Sequence, residues 1–600
     1  MRVLLIHPED SPRRGPWSQQ RWDLVVDLGK SSPYSERAWS AQFGCPVLSA
    51  DSFRRGVADA QLVRQMFAEG RGRLLDEEGI DWWDITSLLL APEALNILAF
   101  TRVTSELKNA PDLWCTRPGW PANAVAILRG STLRSFGAGR LTSMATGIGH
   151  YAGLMRRFSV AQIKEIFLDK YDSGYRWRAR FAARPQRSSG QVVLLPSAYS
   201  NVSRMAADYA RMLPRQNFLM VATRQSAKQF TPPENVRIED LAAYARPGFP
   251  TSEIGSLTAQ WAKLRADLCA SAEFRVLSQA GVLDAIAVWI RDGISARDAW
   301  RQVLEREPVC GVLCGDDSNL FTRLPVLLAA RRKIPTVDFH HGAFDGRYLL
   351  KDLPCDVYLA KNPMERDYLL RVCGLPAGKV VIAAPAEARI SEAHIPEPQV
   401  SAASQRDESE QRSLVLFSEP YEAGGMRAEE FYRELLPELL RVARENKRGF
   451  IIKLHPFESR TQREGLVREI LGDDVNFVTV VDGPLTTGLI AQAWCGVTIE
   501  STTVMDCRQN GVCCFLCRWL ALSPYEYAQQ YARFDVGEVL ETVEQVKEIP
   551  ARLREFHRRP SPTGTLPTTA DPELLQRWLT SGFHEPSSGV REPSGARSAS

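Results

Sequence analysis

The chain has 600 residues, 44% of them apolar and 24% charged, with a net charge of +3 at neutral pH. That length holds roughly two to four domains, each able to bury its own core, and the composition is that of a soluble globular protein. So small a charge calls for no nucleic acid, and no run approaches the ~20 apolar residues of a membrane span. The start, Met1-Arg-Val-Leu-Leu-Ile-His7-Pro8, has too short an apolar core for a secretory signal, so a cytoplasmic chain is expected. The 12 cysteines are scattered, and Cys310, Cys314, Cys513 and Cys514 fall inside apolar runs, which suits reduced, buried thiols. Cys507, Cys513, Cys514 and Cys517 together hint at zinc, but the spacing fits a buried strand better, and no metal is assigned.

In chain order, residues 2–7 and 22–28 read as strands, and Ala58 to Glu78 as a helix stopped by Gly79. Apolar strands alternate with amphipathic stretches up to residue 186, giving an N-terminal α/β module, 1–186. Its one acidic cluster, Asp76-Glu77-Glu78-Gly79, reads as a charged last helical turn with a glycine cap in preference to a general base. Arg184 to Gly190 is a polar linker.

A second domain, 191–390, opens with the strand Gln191-Val-Val-Leu-Leu-Pro196, a helix and a further strand, the start of a parallel sheet. A helical insertion covers about 252–307. The sheet then resumes with Val309 to Cys314, ending at Gly315-Asp316-Asp317, and with Pro335 to Phe339, ending at His340-His341-Gly342. Asp316, Asp317, His340 and His341 therefore fall at the carboxyl ends of neighbouring strands. Arg331-Arg332-Lys333 reads as a favourable helix C-terminus, with attraction to a membrane surface as the lesser use. Residues 391–411 form an interdomain linker of Pro, Ser, Ala, Gln and Glu.

The third domain, 412–557, repeats the β-α-β pattern of a doubly wound sheet. Its strand Phe450 to Leu454 stops at His455-Pro456, because proline cannot donate to a ladder, and this leaves His455 at the rim. A second apolar run from Gly496 ends in Ser501-Thr502-Thr503-Val-Met-Asp506. Open parallel sheets bind ligands at such carboxyl ends, and hydroxyl residues there can cap the next helix and leave N–H groups for an anion. This is a mono- or diphosphate site that needs no metal. Gly424-Gly425 before a helix is a weaker phosphate signal. The stretch 558–600, rich in Pro, Ser, Thr and Gly, is expected to be mostly disordered.

Two such domains, with His341-Gly342 in the first and Lys453-Leu454-His455-Pro456 plus Ser501-Thr502-Thr503 and Asp506 in the second, resemble GT-B-type glycosyltransferases. Within that group the motifs are similar to bacterial surface-polysaccharide enzymes: polysialyltransferases and sialyltransferases, capsule-export-associated transferases and CDP-glycerol glycerophosphotransferases. The likeness covers about residues 191–545. Three departures stand out: Ala383-Ala384 precede Pro385 where relatives have Gly-x-Pro, Asp506 replaces a glutamate, and the nearest match to an Asp-Asp-Gly is Glu77-Glu78-Gly79. The resemblance implies an α/β, GT-B-like fold with two Rossmann-like domains facing a cleft; the N-terminal module, which it does not cover, is expected to pack on the first of them and not between the two.

For function it implies a metal-independent transferase, without cofactor, acting at a bacterial capsule or other surface glycan. Its partners would be a CMP-, CDP- or UDP-linked donor and a glycan or lipid-linked acceptor, with peripheral membrane association at the inner face. No Asp-x-Asp occurs, so the leaving phosphate would be met by side chains and helix N-termini. His455 with Lys453 would stabilise that phosphate, Ser501, Thr502 and Thr503 would hydrogen-bond it, and Asp506 would orient a ribose hydroxyl or a backbone. His341 is the first choice for the base that takes the acceptor proton, with Asp316 or Asp317 second. Two alternatives remain: an isomerase of the UDP-N-acetylglucosamine 2-epimerase kind, and a non-catalytic GT-B scaffold in polysaccharide synthesis.

Overall fold

The computed structural model describes residues 1–107, 112–136, 175–245, 251–342, 347–385, 412–520, 525, 527–559 and 568–582. The linker expected at 391–411 and the whole stretch after 582 lie outside them. Within them the chain builds three sheets, all of whose paired strands run parallel. The first contains β1 (Arg2–Ile6), β2 (Leu24–Asp27), β3 (Val47–Ser49), β4 (Asp112–Cys115) and β5 (Leu133–Ser135) in the order β3-β2-β1-β4-β5. The second holds β6 (Val192–Ser197), β7 (Asn217–Ala222), β8 (Val236–Asp240), β9 (Val309–Cys314), β10 (Thr336–Phe339), β11 (Val357–Ala360) and β12 (Val380–Ile382). The third holds β13 (Ser413–Phe417), β14 (Gly449–Lys453), β15 (Val478–Val481), β16 (Ala493–Thr498), β17 (Cys514–Cys517) and β18 (Glu538–Leu540). Their orders are β12-β11-β10-β9-β6-β7-β8 and β15-β14-β13-β16-β17-β18.

All three orders follow one rule: the chain winds outward from a first strand in one direction, returns, and winds outward in the other. The point of reversal lies between β1 and β4, β6 and β9, and β13 and β16, and it leaves a crevice at the carboxyl ends. The strands are short apolar runs because helices cover both faces of a parallel sheet. Cys514 and Cys517, three residues apart in β17, consequently pack into cores on opposite faces of the third sheet, which rules them out as ligands of one ion.

The second and third domains are each a doubly wound parallel sheet. The Pro572–Ser581 helix leaves the third domain and returns to the second sheet, where Leu575 and Leu579 are buried beside Leu313 and Val337. Gly311 makes room for it, since a Cβ there would stand 1.8 Å from the Leu579 carbonyl oxygen. Within the stretch 558–600, the segment 568–582 is held to the second domain by Ala384 N–H donating to the Thr568 carbonyl (2.7 Å) and Ala570 N–H to that of Ala384 (2.8 Å). The insertion at 252–307 consists of the helices Thr251–Leu268, Ala272–Gln279 and Ala285–Arg306.

The N-terminal module packs on both partners, which corrects its expected place on the second domain alone. On one side its Trp82–Glu106 helix meets the insertion and the second sheet: Arg323 Nε donates to Asp84 (2.9 Å) and Arg297 Nη1 to Asp76 (2.8 Å). That helix is long and apolar enough to cross a membrane, but 61% of its apolar window is buried inside the protein. On the other side the carboxyl ends of β1 and β2 meet the third domain. Arg427 donates to both carboxylate oxygens of buried Asp27 (2.7 and 2.9 Å) and to the carbonyls of His7 and Asp10. Arg13 forks onto Glu430, with both bonds at 2.9 Å. A single buried cluster includes Leu5 of β1, Leu194 of β6 and Val415 of β13, so the three sheets share a core.

The helix expected over Ala58–Glu78 ends at Ala68. Asp76 instead nucleates a turn: its carboxylate accepts from the Glu78 and Ile80 N–H groups and from the Trp82 indole, with Gly79 at φ +74° in the turn. The acidic cluster is a structural corner tied to Arg297.

Candidate active site

At the end of β14, His455 is held by its own loop. Its backbone N–H donates to Glu458 (2.8 Å), and its ring Nδ1 accepts the Phe457 N–H at 3.2 Å. An amide N–H can only donate, so Nδ1 carries the lone pair and the ring hydrogen sits on Nε2. Burial, with the Lys453 charge beside it, lowers the His455 pKa to about 4, so the ring is neutral at physiological pH. The group presented is a neutral N–H donor. Glu458 also accepts from Ser418 Oγ (2.8 Å) and Arg463 Nε (2.7 Å), which fixes the loop.

Lys453, expected to meet the phosphate, is turned away. Its buried ammonium donates to the carbonyls of Leu454 and Gly483, both at 2.7 Å, and pins the β14 exit to the turn after β15. Gly425 likewise does not cradle an anion, because its N–H is spent on the Glu422 carbonyl at 3.1 Å, while its own carbonyl accepts the Lys30 N–H of the N-terminal module at 3.2 Å.

The loop after β16 lies two strands from β14, about 10 Å away at the usual strand spacing. Sequence reading missed the residue that organises it. Glu419, just beyond β13, accepts from Thr498 Oγ1 (2.8 Å), Ile499 N–H (3.0 Å) and Glu500 N–H (2.8 Å). The crevice of the third sheet is thus filled by the chain's own carboxyl group, whose pKa burial raises although these donors work against the shift. An acid placed directly after a buried strand was the available signal, the same one that drew attention to Asp316. Beyond Glu500, Ser501 Oγ accepts the Thr503 N–H (3.3 Å), Thr502 stands at the N-cap position without a side-chain capping bond, and the hydroxyl of Thr503 is buried without a hydrogen-bond partner. Only Ser501 therefore provides the expected cap. One turn into the Thr503–Gln509 helix, burial raises the Asp506 pKa to about 6, while the charge of Lys361 from the second domain opposes the rise.

At the second domain's edge, His341 Nδ1 lies 3.1 Å from the Gly315 carbonyl oxygen. A carbonyl can only accept, so here Nδ1 carries a hydrogen, and in the neutral ring Nε2 is left with the lone pair, the reverse of His455. Gly342 has no left-handed φ, and a Cβ there would meet nothing within 4 Å, so no sharp turn depends on it. Asp316 accepts the Ser318 N–H (3.0 Å) in a turn. Asp317 is fully buried against Arg323 Nη1 (3.0 Å) and the Lys351 ammonium, a counter-ion that cannot reach an acceptor. The donor atoms of Asp317, Asp338 and Cys355 lie within 4.8 Å of one another, a spacing that could hold a metal. Lys351 already neutralises Asp317, the Tyr348 hydroxyl donates to Asp338 (3.2 Å), and burial drives the Asp338 carboxyl well above the usual range.

The two domains meet at this same edge. The Tyr368 hydroxyl donates to the Tyr525 carbonyl (2.8 Å), Gln530 Nε2 to that of Met364 (2.9 Å), and Arg533 pairs with Asp367 (2.6 Å).

Neither a protein-family model nor a curated protein sequence matches the chain. Solved structures do align with it. A UDP-GlcNAc 2-epimerase from Methanocaldococcus jannaschii, in complex with UDP-GlcNAc and UDP, is 11% identical, with 65% of this chain and 98% of that chain covered and a TM-score of 0.39. The calicheamicin glycosyltransferase CalG4 is 12% identical, over 62% and 92% of the two chains, at 0.37. MurG of Acinetobacter baumannii is 13% identical, over 61% and 91%, at 0.33. Superpositions this loose leave the functional reading to the side chains.

Proposed function

We propose that the chain is a nucleotide-sugar transferase of GT-B architecture, which binds its donor on the third domain and moves a sugar, or a polyol phosphate, to a surface-glycan acceptor on the second. The observation that carries this reading is the opposite tautomers of the two histidines at the carboxyl edges. His341 offers a lone pair, as a base must, and His455 offers a hydrogen, as a partner of a leaving phosphate must.

For a sugar donor, the acceptor oxygen attacks the anomeric carbon and its proton passes to His341 Nε2. The bond from that carbon to the phosphate oxygen breaks, and the electron pair leaves on the phosphate. His455 Nε2–H and the hydroxyls of Ser501 and Thr502 donate to the phosphate, and the configuration at the carbon inverts. No carboxylate pair is required, and Asp317 takes no part. A base drawn from one domain and a phosphate partner from the other make domain closure part of catalysis.

One observation favours a non-catalytic scaffold as a second reading: Glu419 and Lys453 are both committed to internal partners at the edge where a donor would sit.

A thermal-shift screen of CMP, CDP, UDP and GDP tests the choice. Stabilisation by one of them is expected, about 2.7 kcal/mol at a hundredfold excess over Kd. A transfer assay with the corresponding sugar donor should then keep its rate in EDTA. Stabilisation by none favours the scaffold, and complete loss in EDTA reversed by magnesium overturns the metal-independent mechanism.

A further inference from the structure

The Gly315 carbonyl beside the His341 ring belongs to a loop pinned at three successive residues. Gly315 itself lies against Phe339 of β10, where a Cβ would run into the aromatic ring. The carbonyl of Asp316 accepts from the Thr322 hydroxyl. Asp317 is held twice. Arg323 Nη1 donates to one of its carboxylate oxygens (3.0 Å), and the Lys351 ammonium donates to the other and to Ser318 Oγ (3.2 Å). Arg323 and Lys351 therefore fix the far end of the loop that presents the carbonyl.

Both cations are set in turn by one carboxylate of the N-terminal module. Asp84, in the first turn of the Trp82–Glu106 helix, gives one oxygen to Arg323 Nε (2.9 Å) and the other to the Asp352 N–H (3.2 Å). Arg323 Nη2 closes this ring of contacts on the Asp352 carbonyl (2.7 Å). Lys351 directly precedes Asp352, so Asp84 reaches Asp317 by two routes: through the guanidinium, and through the backbone that carries the ammonium. Asp84, Asp317, Arg323 and Lys351 are all buried, so water does not replace a lost partner.

We propose that Asp84 is a positioning residue for the candidate base: through Arg323 and the Lys351–Asp352 segment it fixes the loop whose Gly315 carbonyl keeps the His341 hydrogen on Nδ1. The inference rests on the reading of His341 as the base, and it gives the module a part in the chemistry. A carboxylate outside the two catalytic domains then decides which nitrogen is left free to take a proton.

The test is nuclear magnetic resonance of the full-length chain, 15N-labelled in its histidine rings, at about pH 9, where a histidine ring is neutral. Signals of His341 are identified by their absence from His341→Gln. The parent should show a protonated Nδ1 and an unprotonated Nε2. Asp84→Asn leaves one accepting oxygen for two donors, and Arg323→Lys puts a single ammonium where a planar fork spans three partners. Each variant should lose the pure Nδ1–H pattern, its two nitrogen signals converging as the tautomers mix. The His455 signals should stay where they are. By calorimetry, whichever of UDP, CDP, CMP and GDP the parent binds should bind both variants to within about twofold, because the third domain's edge is untouched. A merely structural role would lower the melting temperatures and leave the His341 pattern as in the parent; that pattern in Asp84→Asn overturns the inference while the proposed function stands. Mixed tautomers in the parent also overturn it. If none of the four nucleotides binds the parent, the proposed function falls, and the ring signals still decide whether Asp84 sets the tautomer. Should Asp84→Asn not fold, Arg323→Lys decides by the same signals.

Discussion

The edges of the second and third sheets are built alike: a buried parallel strand, a histidine just past its end, and a loop backbone group within hydrogen-bond reach of its ring. They differ in what that backbone offers the ring. Beside His341 it is a carbonyl, that of Gly315; beside His455 it is an amide, that of Phe457. One backbone atom in each case decides which ring nitrogen carries the hydrogen, and so whether the histidine can take a proton or donate one. The chemistry of a histidine at a strand end is set by its second neighbour as much as by its position.

If that contrast is right, the largest effect belongs to the base. His341→Ala should slow transfer by about 100- to 10,000-fold. His341→Gln should be as slow, since an amide cannot take up the proton; near-parental turnover for either would remove His341 from the mechanism.

His455→Ala should cost a factor of ~100–1000 in kcat. Because the ring acts as a neutral donor, His455→Asn or His455→Gln should recover part of that loss. With a pKa of about 4, His455 should also leave no fall in rate as pH rises through 6 to 7. Such a fall, absent from His455→Gln, would mean that an imidazolium is at work and that the contrast is drawn wrongly.

A smaller effect sharpens the comparison from the domain junction. The Asp506 pKa is raised from 3.8 to about 6, so its protonated form favours the folded state. The stability it contributes is fully present below the unfolded value and is lost as pH rises through about 6. Asp506→Asn should therefore melt higher than the parent at pH 8, and the difference should vanish near pH 3. A variant that melts lower at pH 8 would place Asp506 in a stabilising ion pair with Lys361.

Much of the fold was legible because parallel strands are apolar runs that stop abruptly. The His455-Pro456 stop, the Asp316-Asp317 loop after β9 and the strand before His340 all follow from that pattern. What escaped depends on partners distant in sequence. The Asp27–Arg427 pair joins residues 400 apart, and nothing near either residue announces the other. Lys453 sits where the motif placed it, yet its flexible stem folds back to two carbonyls. The tautomer of His341 rests on Gly315, 26 residues earlier. The Pro572–Ser581 helix was legible in part: Asp571-Pro572-Glu573 is a sound helix start and Leu575 and Leu579 share one face, but the surrounding Pro, Ser and Thr obscured a ten-residue helix.

The separation of roles between the two histidines is tested most directly by calorimetric titration of the nucleotide product into His341→Ala and His455→Ala side by side. The expected result is that His455→Ala weakens the nucleotide by about tenfold or more, the loss of one hydrogen bond to a charged group, while His341→Ala binds it like the parent. Loss of binding in His341→Ala with retention in His455→Ala would contradict this, and would move the donor to the second domain.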